Sequence, residues 1–131
     1  MQIQEKLNAS IVGINAQENN GWLYVDAKYI FQAIAMLKSE FGFHQLIDMT
    51  AIDRGHNCEL VYILRDINEN KLIQVKAYTR EEIQSISAIF PNAELYECEI
   101  YEMFGIRFSH HPNLRMLFTD DISRPMRKRY D

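Results

Sequence analysis

The sequence predicts a two-layer α+β domain, with helices on one face of a mainly antiparallel, mixed sheet of about five strands. Three observations support this fold class. Apolar residues up to position 90 alternate between helical and strand-like spacing, turn-forming residues separate these segments, and short turns join the last three predicted strands. Such short connections favour an antiparallel meander. The predicted order is α-β-β-α-β-β-β-α, followed by an extended C-terminal docking tail.

The N-terminal segments predict a helix and a β-hairpin. Residues 3–8 favour a short opening helix, and residues 11–14 (Ile-Val-Gly-Ile) favour a first strand. Residues 18–21 predict a tight turn, because their Asn-Gly pair tolerates the positive φ that hairpin turns need. Residues 22–25 are aromatic and β-branched, which makes them the return strand.

The middle of the chain predicts a second helix and a meander of three strands. From residue 27 the apolar side chains recur at helical spacing until Gly42, which suits the left-handed end of a helix. Residues 45–52, 59–64 and 72–78 have strand character, and polar turns separate them. In the last strand Gln74 and Lys76 alternate with apolar residues, so we expect both to face water on the solvated side of the sheet.

A helix is also predicted after the meander. Residues 79–82, Thr-Arg-Glu-Glu, match a capping box, in which the threonine hydroxyl accepts from the amide three residues on. Ile83, Ile86 and Phe90 follow at helical spacing, and Pro91 ends the segment. This helix completes an α+β body that we assign to residues 1–93.

Length and composition indicate a single domain over residues 1–131, with a net charge of −4. No apolar run approaches the roughly 18 residues of a membrane-spanning helix. The first residues also lack the features of a secretory signal. Cys58 and Cys98 are too few for a disulfide framework, which favours the reducing cytoplasm.

Residues 94–131 combine an acidic helix with a basic tail. The helix is predicted between Asn92, as N-cap, and Gly105, and it carries four acids and no base. The acids are Glu94, Glu97, Glu99 and Glu102. The bases downstream are Arg107, Arg115, Arg124, Arg127, Lys128 and Arg129. We expect the tail to fold back on the helix, within this protein or across to a partner, with arginines keeping the glutamates ionised and their pKa low. Two solvated charged faces are the simpler alternative.

The segment between the helix and the tail is too apolar for an exposed loop. Residues 104–118 carry seven large apolar side chains around the extended turn at His111 and Pro112. These side chains are Phe104, Ile106, Phe108, Leu114, Met116, Leu117 and Phe118. They are expected to be buried on their own sheet or on a neighbouring protein.

Three motifs in this region resemble one known family. They are E-x-E-I-Y-E-M-F-G-I-R-F at 97–108, H-P-N-L-R at 111–115 and R-P-M-R-K-x-Y at 124–130. Together they resemble the signature of the C subunit, or 30 kDa subunit, of respiratory complex I, a domain that also occurs in membrane-bound, energy-converting NiFe hydrogenases. The family pattern usually has arginine where this chain has Cys98, and aspartate where it has Glu102.

The resemblance implies an accessory subunit of an oxidoreductase complex, with no active site and no bound metal or cofactor of its own. It would pack on a large, hydrogenase-like, D-type subunit and a small, iron–sulfur, B-type subunit, in a hetero-oligomeric membrane complex. Iron–sulfur clusters and either quinone or a NiFe centre would lie on those other subunits. The chain would be peripheral on the cytoplasmic face of the cell membrane, without inserting into it and without binding nucleic acid. The partner-interface residues it implies are Glu97, Glu99, Glu102, Phe104, Gly105, His111, Pro112, Arg115, Arg127, Lys128 and Tyr130.

Two other functions remain open from the residues alone. Glu99 and His111 are suitable types for acid–base chemistry in a small stand-alone enzyme. The basic tail, with Met126 and Tyr130 among its bases, is also suited to a nucleic-acid backbone, although the acidic helix beside it would repel phosphates. A metal site is not indicated, because the spacing of the histidines and cysteines gives no ligand pair on one face.

Overall fold

The computed structural model describes residues 2–117 and confirms the α+β class with a five-stranded mixed sheet. The helices in this range are α1 (Gln2–Ser10), α2 (Ile30–Phe41) and α3 (Ala93–Phe104). The strands are β1 (Gln17–Asn19), β2 (Trp22–Tyr24), β3 (Gln45–Asp53), β4 (Cys58–Asp66), β5 (Lys71–Thr79), β6 (Glu82–Gln84) and β7 (Arg107–Ser109). No helix among these residues has the length and apolar character needed to cross a membrane. The basic tail from residue 118 onward, with its docking prediction, lies outside the described residues.

The main sheet has the strand order β1-β2-β5-β4-β3. Its neighbours pair antiparallel except for β2 and β5, which are parallel. The predicted hairpin turn is confirmed, because Asn20 and Gly21 have φ values of 49° and 82°. The predicted meander is likewise present as β3, β4 and β5.

The predicted strand at residues 11–14 is wrong. This segment is a turn, in which Gly13 has a φ of 88°, and Asn15 directly after it has a φ of 53°; a strand contains neither conformation. Ile14 is nevertheless fully buried and its carbonyl accepts from Asp26 N at 3.2 Å, whereas Val12 is 88% exposed. Ile14 therefore anchors this turn in the core, and the first strand begins only at Gln17.

The core lies on one face of the sheet. Leu60, Tyr62 and Leu64 of β4 lie opposite Ala77, Val75 and Ile73 of β5, and all six are buried. The buried stripe of α2 joins the same apolar cluster through Ile30, Ala33, Ile34 and Leu37. Gly42 ends α2 in the left-handed conformation, as predicted, with a φ of 80°.

The prediction of a wet second face is wrong at Lys76, which is only 5% exposed. The parallel pairing of β2 with β5 places two aromatic residues beside it, since Tyr24 lies opposite Lys76 and Trp22 opposite Gln74. Lys76 Nζ lies 3.0 Å from the centroid of the Trp22 ring and 4.0 Å from Oε2 of Glu59. Lys76 therefore contacts a buried carboxylate and an aromatic ring, whereas the strand pattern predicted that it would contact water.

The predicted helix after the meander is also wrong, because β6 occupies its start. Ile83 pairs with Phe108 in a two-stranded parallel sheet of β6 and β7. The Thr79 hydroxyl donates to the carbonyl of Glu82 and does not act as a helix cap. Ile83, Ile86 and Phe90 are buried as predicted, but in a strand and a following turn.

Candidate functional site

The candidate site is built on α3, which packs along β3, a strand at the edge of the main sheet. Tyr96 donates its hydroxyl to the carbonyl of Ile47 at 3.1 Å. Asn92 stands at the N-cap position, but its amide donates to the carbonyl of Leu46 at 3.0 Å and makes no cap bond, so the predicted side-chain cap is absent. At the other end Gly105 has a φ of 78° and its amide donates to Tyr101 O, which confirms the predicted helix end. The helix thus covers polar groups at the edge of the sheet.

Glu97 joins α3 to the segment after β6. Its side chain is fully buried, with Oε1 accepting from the Ser85 hydroxyl at 2.6 Å and Oε2 from the amide of Ile86 at 2.9 Å. Burial raises the pKa of Glu97 and outweighs these two hydrogen bonds and the nearby His111, which lower it. The expectation that arginine keeps this carboxyl ionised is therefore wrong, because its partners are a hydroxyl, an amide and an imidazole.

His111 fastens the chain after β7 onto α3. Its Nδ1 accepts from the amide of Asn113 at 2.9 Å, and its Nε2 donates to the carbonyl of Glu94 at 3.0 Å. The Nε2 atom lies 3.7 Å from Oε1 of Glu97, and the His111 side chain is only 1% exposed. The imidazole is therefore a buried connector between backbone groups.

Cys98 lies beneath this turn. Its Sγ is 3.8 Å from Nε2 of His111 and 3.6 Å from the carbonyl of Asn113, and the residue is buried. The family pattern usually has arginine here. In this chain a small thiol packs against the turn, with no guanidinium at that position.

Glu102 supplies a second attachment. Its carboxylate is 1% exposed, and Oε1 accepts from the amide of Leu117 at 2.6 Å. Ile106 and Phe108 are buried in the domain, and Leu114 packs against the core from a partly exposed position. The apolar segment is thus buried on its own domain at these positions.

The expected partner-interface residues fall into three groups. Glu99, Pro112 and Arg115 are exposed, and Phe104 and Gly105 are half-buried. The side chains of Glu97, Glu102 and His111 lie inside the domain. Arg127, Lys128 and Tyr130 lie outside the described residues. Because the side chains of Glu97, Glu102 and His111 are buried, they can affect docking only by holding the surrounding segments in place.

Two grooves flank α3. The first, of about 280 Å³, lies between α3 and β3; Asp48, Met49, Thr50, Tyr96, Glu99, Ile100, Met103 and Phe104 line it. The second, of about 360 Å³, lies on the His111 side; Pro91, Asn92, Glu94, Leu95, Cys98, His111, Asn113 and Arg115 line it. Glu99 and His111 are consequently in different grooves. No group of three or more metal-ligating side chains occurs among residues 2–117.

Sequence reasoning missed Ser85, Asn113 and Asp48. Ser85 and Asn113 bind Glu97 and His111, but neither lies at a spacing that marks it as a partner of these residues. Asp48 reaches the first groove only because β3 lies beside α3. Two serines, Ser85 and Ser87, interrupt the apolar segment 83–90, but nothing in the sequence distinguishes Ser85 as the partner of Glu97.

Comparison with known proteins gives a consistent result. A family model described as "Respiratory-chain NADH dehydrogenase, 30 Kd subunit" matches residues 23–131. The C subunit of NADH-quinone oxidoreductase from Caulobacter sp. (strain K31) is 33% identical, over 88% of this chain and 61% of that protein. The same subunit from Chelativorans sp. (strain BNC1) is 34% identical, over 90% and 62%. That from Phenylobacterium zucineum is 34% identical, over 72% and 47%, so the chain spans about half to three fifths of these relatives.

A solved structure has the same fold. A chain from the membrane-bound sulfane sulfur reductase, an archaeal respiratory membrane complex, superposes with a TM-score of 0.81 at 22% identity. The match covers 99% of this chain and 84% of the other. The two chains therefore share an architecture despite low sequence identity.

Proposed function

The chain belongs to the family of the respiratory-chain NADH dehydrogenase 30 Kd subunit, and we propose that it is a non-catalytic scaffold subunit of a membrane-bound respiratory complex. Its role is to hold and shield a large, hydrogenase-like, D-type subunit, next to a small, iron–sulfur, B-type subunit. The complex is an ion pump of the NADH:quinone oxidoreductase or energy-converting NiFe hydrogenase kind. Its iron–sulfur clusters and its quinone or NiFe centre lie on the other subunits, and this chain is peripheral on the cytoplasmic face of the membrane.

One observation carries the proposal: three polar side chains of the α3 region, all buried, bind backbone groups of their own chain. Glu97 accepts from Ile86 N, His111 donates to Glu94 O, and Glu102 accepts from Leu117 N. A general acid or base must reach a substrate proton. Side chains that satisfy buried backbone groups instead fix the shape of a surface, which suits a scaffold.

The proposed docking surface consists of the exposed residues around the three buried side chains Glu97, His111 and Glu102. Glu99, Pro112 and Arg115 are exposed around α3, and Leu95 beside them is 58% exposed. With Arg127, Lys128 and Tyr130 of the tail, they supply the arginine and aromatic groups that are common in interface centres. Charge-assisted contacts from the arginines give such a surface its specificity.

The acid–base alternative has less support. Glu99 and His111 line different grooves, and the His111 ring is closed off from solvent. Both ring nitrogens already have backbone partners. The nucleic-acid alternative rests on the tail alone, while the exposed Glu99 on α3 would repel a phosphate backbone.

A truncation tests the scaffold proposal. Deletion of residues 124–131 is expected to abolish co-purification of the affinity-tagged chain with the large subunit, because most bases of the proposed surface are removed. The matched control is Lys28→Ala with Lys71→Ala, which removes two exposed bases elsewhere. Circular dichroism must show that both proteins are folded. Normal co-purification of the truncated chain contradicts the proposal.

A second measurement separates scaffold from enzyme. In the Glu99→Gln and His111→Asn variants, electron-transfer turnover per assembled complex is expected to stay at the parent level, and any loss is expected to appear first in assembly. Loss of turnover in fully assembled complex favours the acid–base alternative.

A further inference from the structure

We propose that the outer face of the main sheet, which points away from the core, binds an extended acidic segment of another subunit. The contact is centred on Trp22, Tyr24 and Tyr78, called here the aromatic row. It is separate from the proposed docking surface around α3, because β4 lies between the row and β3, along which α3 packs. It rests on the proposed function only in that the partner is another subunit of the complex.

The aromatic row lies open on the outer face. Leu23 of β2 and Val75 of β5 lie opposite each other, and both are buried in the core. Side chains alternate along a strand, so Trp22, Tyr24 and Tyr78 point to the outer face. Trp22 and Tyr78 are exposed, so no element among residues 2–117 covers them. Two large aromatic side chains are thus available on a surface that the described fold leaves without a partner.

The rings are spaced like the side chains of an extended chain. The ring centroids of Trp22 and Tyr24 are 6.5 Å apart, and those of Tyr24 and Tyr78 are 6.2 Å apart. Since β2 and β5 are parallel and Tyr24 lies opposite Lys76, the Tyr78 position is two residues further along in the same direction. Alternate residues of an extended chain are about 6.6 Å apart. An extended segment along β2 can therefore place one side chain beside each ring.

The rings are held in position by the chain itself. Lys76 Nζ supports the Trp22 ring at 3.0 Å from its centroid. The Tyr78 hydroxyl donates to Glu59 at 3.0 Å, and the Tyr24 ring stacks on Tyr78 at an interplanar angle of 7°. A surface that is ordered before binding loses less conformational entropy on association. Tryptophan, tyrosine and arginine are also the residues that contribute most to binding at protein interfaces.

Arginines at both ends of the aromatic row indicate the charge of the segment. Arg65 of β4 lies opposite the exposed Leu72, two residues along β5 from the position that faces Trp22. At the other end Arg54 donates to Glu59 at 2.7 Å, and its side chain is half exposed. Glu59 is the one acid that β2, β4 and β5 place on this face, and it is buried. The accessible charge is therefore positive, which favours acidic residues on the bound segment.

Photo-crosslinking in the purified complex tests this surface. Benzoylphenylalanine in place of Leu72 is expected to crosslink to one segment of another subunit, with apolar residues at alternate positions and acids beside them. The same group in place of Val12, which is exposed but lies outside the sheet, should not reach that segment. Arg65→Glu is expected to lower the crosslink yield at Leu72 about fivefold, because it reverses a charge at the contact. Lys6→Glu, a reversal at an exposed site in α1, should leave the yield unchanged.

Tryptophan fluorescence gives a second measurement, because Trp22 is the single tryptophan of the chain. A synthetic peptide with the sequence of the crosslinked segment is added to the full chain. The Trp22 emission is expected to shift to shorter wavelength as the peptide covers the ring. A peptide of the same composition in scrambled order, without the alternation, should bind about tenfold more weakly.

Four results overturn the inference. They are no crosslink from Leu72, crosslinks only within this chain or to a second copy of it, a crosslinked segment without acids, and equal binding of the scrambled peptide. The crosslinking uses a complex that has already co-purified with this chain, so its failure leaves the scaffold proposal intact. Failure of the scaffold proposal appears separately, in the truncation experiment.

Discussion

Glu59 in the sheet and Glu97 in α3 are both buried glutamates, at 1% and 0% exposure, but their environments have opposite effects. Burial raises the pKa of both carboxyls. At Glu59 it is outweighed by hydrogen bonds from Arg54 and Tyr78 and by the charge of Lys76, so the pKa is lowered. At Glu97 the partners are the Ser85 hydroxyl, the Ile86 amide and the His111 imidazole, and burial outweighs them, so the pKa is raised. The cationic partners of Glu59 lower its pKa, whereas at Glu97 the effect of burial prevails.

The two carboxyls also organise different parts of the molecule. Glu59 accepts from Arg54 at 2.7 Å and from the Tyr78 hydroxyl at 3.0 Å, and it keeps a counter-charge near the buried Lys76. Glu97 holds backbone and a serine, so that α3 and the chain after β6 stay together. The sheet face is thus stabilised by opposite charges, whereas Glu97 stabilises the proposed scaffold region through hydrogen bonds from a hydroxyl and a backbone amide.

The strongest test of this comparison is Glu59→Gln. We expect the free energy of unfolding to fall by about 3–5 kcal/mol at neutral pH, because Lys76 stays buried without a counter-charge. Urea denaturation followed by circular dichroism measures the change. The control Glu69→Gln removes an exposed acid that pairs with Lys71 and should cost less than about 1 kcal/mol. A cost at Glu59 no larger than that of the control contradicts the charged arrangement.

A smaller effect is expected for Glu97→Gln. The amide oxygen can still accept from Ile86 N, and no buried cation among the described partners of Glu97 loses its counter-charge, so the expected cost is about 1 kcal/mol. The same denaturation assay applies, with Glu99→Gln as the exposed control on α3. A loss as large as that of Glu59→Gln shows that Glu97 is ionised and paired, and removes the contrast between the two sites.

The smallest expected effect is the pH dependence of the stability lost in Glu59→Gln and in Glu97→Gln. Glu59 has a folded pKa below its ordinary value of 4.5, so its stabilisation is present above that pH and is lost as pH falls through the folded pKa. Glu97 has a folded pKa above 4.5, so stability falls as pH rises from 4.5 through the folded pKa. On acidification the cost of Glu59→Gln should shrink, while that of Glu97→Gln should grow as pH falls towards 4.5. Slopes of the same sign disprove the assignment of opposite shifts.

Local signals predicted much of the fold correctly. The Asn-Gly turn, the α2 stripe that ends at Gly42 and the helix that ends at Gly105 each depend on residues within a few positions of one another. The helix predicted from Thr79 failed because Ile83 pairs with Phe108, which is 25 positions away. Apolar residues at 83, 86 and 90 satisfy either structure, and the long-range pairing selected the strand.

The candidate site was predicted in part. Motif resemblance singled out Glu97, Glu102 and His111, but charge counting assigned the acids to an ionised face. Their burial and their bonds to Ser85, Leu117 and Glu94 arise from segments that only folding brings together. No spacing in the sequence encodes those partners.

Family, fold class and some element ends, such as those at Gly42 and Gly105, are therefore determined by short stretches of sequence, since motifs, turns and caps act over a few residues. The burial of Lys76, the strand at β6 and the backbone contacts of Glu97, Glu102 and His111 required the assembled fold. The physical reason is that burial and ionisation depend on what lies across a few ångströms of space, and those neighbours come from distant parts of the chain.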